Sequence, residues 1–278
     1  MKNDLDKIAI NLRRKIIKLC WLGKGGHITS SLSALDILIT LYFGDILQFN
    51  NQDPEMEERD RFILSKGHAA LALYNVLCEA GFFQWNSLMT FCKPGTIFGA
   101  EPTPKIPGIE GATGSLGHGL SFGVGIALSA KLKKASHLTY VLTGDGECQE
   151  GCIWEAAMSI TNFKLNNLIW IIDYNGRQVN GRISEVMNID PLDKKLEAFG
   201  FDVVSANGHN YNDLISVLKV DKFNLPIKPR AIILHTIKGK GIPLCEDKEN
   251  WHGRVPIEEE LNIIIEQLGI TKKDFEEL

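Results

Sequence analysis

Apolar residues recur at helical spacing from the start of the chain. Leu5, Ile8, Leu12, Ile16 and Leu19 mark one face of an opening helix over residues 5–22. Gly23-Lys24-Gly25-Gly26-His27 breaks it. Residues 33–43 are apolar nearly all round and read as a second, buried helix. Residues 61–65 form a short strand that runs through Lys66-Gly67 into a helix opening near His68. Residues 92–112, rich in proline and glycine, read as a long functional loop. A glycine- and alanine-rich helix follows, from Leu116 to about Lys134. Beyond it, strand-like runs at 138–142, 168–172, 202–205 and 231–234 alternate with helical segments near 150–165, 191–199 and 211–220. Such alternation predicts right-handed crossovers and an α/β fold, a parallel sheet covered by helices on both faces. The apolar run 167–172 fits a central strand of that sheet. No linker divides the chain, so residues 1–278 read as a single domain.

Composition narrows the function classes. The chain is 44% hydrophobic and 23% charged, ordinary for a globular protein. A formal net charge of −4 offers no basic field for nucleic acid or an anionic membrane. No apolar run reaches the roughly 18 residues a membrane span needs, and the charged N-terminus lacks a secretion-signal core. None of the six cysteines makes a C-x-x-C pair or a zinc spacing. Reduced thiols in a cytoplasmic protein are the expectation, with Cys148 and Cys152 packing on one helix face.

The chemistry concentrates where two strands end. Residues 140–143 lead into Gly144-Asp145-Gly146, a strand terminating in a glycine-flanked aspartate. Ligands of open parallel sheets sit beyond the carboxyl ends of strands. Glycines on both sides let a bulky anion approach the backbone, and the helix beginning near Glu150 offers free N–H groups to phosphate. The next strand ends at Asp173-Tyr174-Asn175-Gly176. That spacing is one β-α-β unit, so Asp145 and Asn175 should emerge at neighbouring strand ends. A carboxylate and an amide oxygen facing diphosphate oxygens make an octahedral magnesium site. Each tripeptide or dipeptide alone is an ordinary turn; the pair, each after a hydrophobic strand, points to a site.

The segment 144–151 together with 173–181 resembles the thiamine diphosphate motif of transketolases. Further pieces agree in order: Gly26-His27 with its serine-rich continuation, Arg61 through His68, Thr113-Gly-Ser-Leu-Gly-His-Gly119, and Trp251-His252-Gly253. The resemblance spans almost the whole chain. It implies thiamine diphosphate and magnesium as cofactors, with transfer of a two-carbon ketol unit between sugar substrates. It assigns Asp145, Asn175 and the carbonyl of Arg177 to magnesium. Gly144 and Gly146 would lie against the diphosphate, and Gly114 and Leu116 would line the cofactor. His68 and His252 would touch diphosphate or reacting hydroxyls, His27 would act on the substrate side, and Glu150 would reach towards a partner's activating glutamate. A full transketolase is more than twice this length. The chain therefore resembles the N-terminal subunit of a split transketolase. The resemblance implies an α2β2 assembly, with the pyrimidine-binding domain on a C-terminal partner subunit.

The match departs from the family in places. The family's G-H-P histidine is replaced by Glu101, and a glutamine of T-G-x-L-G-Q-G by His118, which leaves the sugar open. A 1-deoxyxylulose-5-phosphate synthase, the α subunit of a 2-oxo acid dehydrogenase, and a non-catalytic regulatory or assembly subunit stay open as alternatives. Gly25-Gly26-His27 leans towards the synthase. Ser65-Lys-Gly-His68 and Asp173-Tyr-Asn-Gly176 lean towards transketolase. His209 reads as a helix-entry residue, His137 and His235 as structural. Lys238 and Lys240 read as a solvated loop rather than a flank of the phosphate site.

Overall fold

In the computed structural model, which describes residues 2–278, the first half runs α1 (Lys2–Gly23), α2 (Ile28–Phe43), β1 (Arg61–Leu64), α3 (Ala70–Glu79), α4 (Trp85–Leu88) and α5 (His118–Lys133). The second half runs β2 (Thr139–Gly144), α6 (Gly151–Asn162), β3 (Leu168–Tyr174), a hairpin of β4 (Arg177–Gln178) and β5 (Gly181–Arg182), α7 (Ile183–Val186) and α8 (Leu192–Phe199). It closes with β6 (Asp202–Asn207), α9 (Tyr211–Leu218), β7 (Arg230–His235), α10 (Glu258–Gln267) and α11 (Lys272–Glu277). The main sheet has the order β1-β2-β3-β7-β6, and every neighbouring pair is parallel.

Side chains alternate across a strand, and here each face feeds its own core. Leu64, Tyr140, Leu142, Ile169, Ile171, Ile232 and Leu234 pack with α1, α2, α3, α9, α10 and α11. Ile63, Val141, Leu168, Trp170, Ile172 and Ile233 pack on the opposite face with α5, α6 and α8. The predicted two-faced parallel sheet is what forms. Glycine lets α5 lie close on it: a Cβ at Gly123 would stand 2.5 Å from the Val141 side chain.

Two boundaries differ from expectation for a local reason. Helix α2 begins at Ile28, not Ser33, because its opening serines and threonine are buried and two of them, Thr29 and Ser33, find partners across the fold. Thr29 Oγ1 donates to the Trp251 carbonyl at 3.3 Å, and Ser33 Oγ donates to Asp173 at 2.7 Å. The helix expected at His68 opens as a 3-10 turn, Gly67–Ala69, before α3. The C-terminal α10 and α11 escaped sequence notice. They dock through Leu261, Ile264 and Phe275, and Lys18 Nζ donates to the Phe275 carbonyl at 2.8 Å.

Candidate active site at the strand ends

The register of β2 against β3 sets Gly144 opposite Asp173. The two turns that follow are therefore neighbours, as the spacing predicts. They are tied directly: Asp145 Oδ2 accepts from the Gly176 N–H at 2.5 Å and Oδ1 from the Gly146 N–H at 2.8 Å. Asn175 Oδ1 accepts from the Arg177 N–H at 3.1 Å. Arg177 turns its guanidinium away to Asp247 and Glu249, at 2.5 and 3.3 Å, so only its backbone belongs to the site.

Above these turns lies a cleft of about 350 Å³. Its wall includes every residue the sequence nominates: His27, His68, Gly114, Leu116, Gly144, Asp145, Gly146, Glu150, Asn175, Arg177 and His252. A Cβ at Gly144 or Gly146 would meet no protein atom closer than 4.0 or 3.4 Å. Protein packing does not require glycine there; the empty volume is the cleft itself, a cradle that side chains would fill. Gly114 has φ of 130°, a conformation L-residues avoid.

The metal assignment fits the donor chemistry. Among the described residues no group of three or more His, Cys, Asp or Glu could hold a metal. What the turns offer instead is one carboxylate, one amide oxygen and backbone carbonyls, hard oxygen donors suited to magnesium completed by diphosphate. Asp145 is 2% exposed, and burial together with the nearby Asp173 carboxylate pushes its carboxyl up to about 7. Among the described residues no cation pairs with this carboxylate directly, although the Lys66 ammonium lies near enough to oppose the rise, so a divalent ion would fit beside it.

Three groups that sequence reasoning did not assign prove central. Lys66 and Asp173 form a buried ion pair at 2.5 Å beneath the turns. Burial would raise the Asp173 carboxyl, but the Lys66 ammonium, Ser33 and Thr236 hold it below the usual range. Glu147 accepts from the Ser65 hydroxyl at 2.5 Å, the Gly117 N–H at 2.7 Å and the Gly144 N–H at 2.9 Å. It thereby joins the ends of β1 and β2 to the loop carrying Gly114 and Leu116. All three lie inside the recognised motifs, so their position was visible although their partners were not. Lys238 corrects the reading of its loop as solvated. It is 4% exposed, lines the cleft, and its Nζ stands 3.1 Å from His252 Nδ1. Tertiary packing folds the loop inward. Lys240 does stay outside, paired with Glu246 at 3.1 Å.

His27, His68 and His252 converge, with ring centroids 5.3, 4.9 and 5.5 Å apart. Burial lowers all three, and the Lys238 and Lys66 ammonium groups lower them further. His252 falls to about 3. All three are neutral at pH 7, so each can donate from one ring nitrogen and accept at the other. In the cofactor-free chain the His252 ring proton signal in NMR should therefore not titrate between about pH 8 and about pH 5. Lys238→Met should bring its midpoint up. A wild-type midpoint near the ordinary value of about 6.5 contradicts this field.

The model of the family described as transketolase, thiamine diphosphate binding domain, matches residues 8–277. The chain belongs to the transketolase family. It is 42% identical to a Phocaeicola vulgatus protein named as a subunit of apulose-4-phosphate transketolase, over 92% of this chain and 91% of the relative. It is 39% identical to human transketolase, covering 90% of this chain but only 40% of that one. The solved transketolase of Leishmania mexicana superposes with a TM-score of 0.87 at 30% identity, covering 96% of this chain and 41% of that chain. The chain thus spans about two fifths of the full-length transketolases it matches.

Where this member of the transketolase family departs from the motif, the structure is specific. Glu101 does not line the cleft. Its carboxylate packs behind Gly67 and Gly114, Oε2 has no hydrogen-bond partner, and burial lifts the group to about 7. Tyr74 anchors its backbone, donating to the Glu101 carbonyl at 2.8 Å. His118 is exposed at the start of α5, beside Ser115 at 3.2 Å. Cys148 is fully buried against the Gly144 carbonyl, and Cys152 Sγ faces the Leu116 carbonyl at 3.8 Å. His137 and His235 lie outside the cleft wall.

Proposed function

We propose that this chain is the diphosphate-binding half of a two-chain transketolase. It moves a two-carbon ketol unit from a ketose phosphate to an aldose acceptor with thiamine diphosphate and magnesium. The carrying observation is the convergence of all eleven nominated residues on one cleft at the ends of β2 and β3. The relative from Phocaeicola vulgatus is named for apulose 4-phosphate, which supports a donor of that ketose phosphate kind here.

When bound, thiamine diphosphate supplies the carbon nucleophile for ketol transfer. The chain's own groups do the rest. Asp145, Asn175 and the Arg177 carbonyl would hold magnesium, and the bare backbone at Gly144 and Gly146 would admit the diphosphate. Lys238, lowered to about 8 by burial and by Lys66, adds a positive charge at the same wall at pH 7. The neutral His27, His68 and His252 form a hydrogen-bonding face that orients substrate hydroxyls and holds or releases a proton at a ring nitrogen. Leu116, half-buried in the cleft wall, would supply apolar contact to the ring portion of the cofactor. Glu150 is exposed at the start of α6 and lines the cleft, placed to meet a partner chain.

The Phocaeicola vulgatus relative is named as one subunit of its enzyme, which supports a second chain here. To that chain we assign the pyrimidine-binding domain, and to the pair an α2β2 assembly in the cytoplasm. Among the described residues no helix is long and apolar enough to cross a membrane. The purified chain should show no ketol transfer with thiamine diphosphate and magnesium, and should gain it when the partner is added. Transfer by the chain alone, measured as release of the shortened aldose phosphate, overturns the two-chain assignment.

A further inference from the structure

A carboxylate outside the cleft reaches it through two arms. Asp36 sits on α2, three residues after Ser33, and is 4% exposed. It accepts from Arg13 Nη2 at 2.8 and 2.9 Å, from His209 Nδ1 at 2.7 Å and from the Tyr211 hydroxyl at 3.1 Å. Burial would raise its carboxyl, but His209 and Arg13 outweigh that and hold it below the usual range. Two of these three partners do not end at Asp36. The other ring nitrogen of His209, Nε2, accepts from the Ile237 N–H at 2.9 Å. An N–H can only donate, so Nε2 carries no proton and Nδ1–H donates to Asp36; the network selects one neutral tautomer. Arg13 Nε donates to the Lys240 carbonyl at 3.2 Å. The backbone on either side of Lys238 is thus gripped from one carboxylate.

We propose that Asp36 is a positioning residue: through His209 and Arg13 it fixes the backbone of residues 237–241, and with it the place of the Lys238 ammonium in the cleft. His209, read from sequence as a helix-entry residue, is the shorter arm. Two backbone bonds complete the grip, Gly239 N–H to the Thr29 carbonyl at 3.0 Å and Asp247 N–H to the Lys238 carbonyl at 2.8 Å. A lysine on a mobile loop would point its ammonium to water. Here the held backbone leaves it beside His252 and the Gln178 carbonyl, at 3.1 and 3.4 Å. Small displacements of such a group matter, since shifts of about 1 Å in a site cost about 100-fold in rate. Tyr211 donates to the same carboxylate but, unlike His209 and Arg13, does not bond the loop, which makes it an internal control.

The test reads Lys238 through its neighbour. His252 faces His27, His68, Lys66 and Lys238, and Lys238 is the strongest of these charges on its ring. His209→Ala should let the ammonium leave, so the NMR titration midpoint of His252 in the cofactor-free chain should rise towards that of Lys238→Met. Asp36→Asn should raise it in the same direction. His209→Gln, whose amide can donate to Asp36 and accept from Ile237, should keep it low, and so should Tyr211→Phe. An unmoved midpoint in both His209→Ala and Asp36→Asn overturns the proposal, as does an equal rise in Tyr211→Phe. The consequence for function rests on the thiamine diphosphate reading, but this measurement needs no cofactor, so either can fail without the other. In the reconstituted enzyme, His209→Ala should weaken binding of magnesium thiamine diphosphate on the order of 10-fold, the usual effect of an outer-shell partner. Its kcat at saturating cofactor should change far less.

Discussion

Asp145→Ala should lose magnesium-dependent binding of thiamine diphosphate by more than about 100-fold. Outer-shell partners of a metal site already cost about 10–100-fold, and Asp145 is the sole carboxylate in the donor set built by the two turns. Calorimetric titration with and without magnesium separates this from general damage. Wild type should bind far more tightly with magnesium present, and the variant should bind equally weakly in both. The fold should survive. The variant loses two backbone hydrogen bonds, from Gly146 and Gly176, but also a buried carboxylate whose ionisation is opposed by burial and by Asp173. These effects oppose each other, so the thermal midpoint should move only a few degrees. A variant that still responds to magnesium would reject the ligand assignment.

The largest loss of stability is expected elsewhere, at Lys66→Met. Methionine keeps the volume and flexibility of the lysine stem, so packing is preserved while the charge goes. Lys66 is 2% exposed and Asp173 is fully buried. Removing one member of a buried pair leaves the other uncompensated and costs about 3–5 kcal/mol. Chemical denaturation at pH 7 measures it. The pH sign follows from Asp173, whose folded value is depressed. In the wild-type chain the pair's contribution is present above the ordinary aspartate value of about 4 and is lost as pH falls through the depressed value. The deficit of Lys66→Met against wild type should therefore be full at neutral pH and shrink on acidification. Adding Asp173→Asn to it should recover part of the loss. A single variant as stable as wild type would show that the pair is not desolvated.

The cofactor turns could be read in the sequence because each is local. A hydrophobic strand followed by a glycine-flanked aspartate or by Asn175-Gly176 carries its own geometry, and one β-α-β unit brings the two together. The Lys66–Asp173 pair and the three-armed Glu147 were harder. Their partners come from different strands, and an isolated lysine or glutamate in a motif looks like a solvated charge. Helix α2 looks shorter in the sequence than it is because buried serines resemble loop residues until their acceptors are known. Lys238 was misplaced for the complementary reason: Ile237-Lys-Gly-Lys-Gly241 looks solvated, yet Asp36, far away in sequence, draws it into the cleft.

Alternation of apolar runs determined the parallel sheet, since a strand buried on both faces must be apolar throughout. Motif order determined the family and nominated Asp145, Asn175 and the Arg177 carbonyl as donors. Protonation and placement were left to the tertiary structure. The neutral state of His27, His68 and His252 comes from burial beside two ammonium groups, and no local pattern encodes that proximity. The same holds for Asp145. Sequence placed it at a strand end; only the folded chain, by desolvating it next to Asp173, pushed its carboxyl up to about 7.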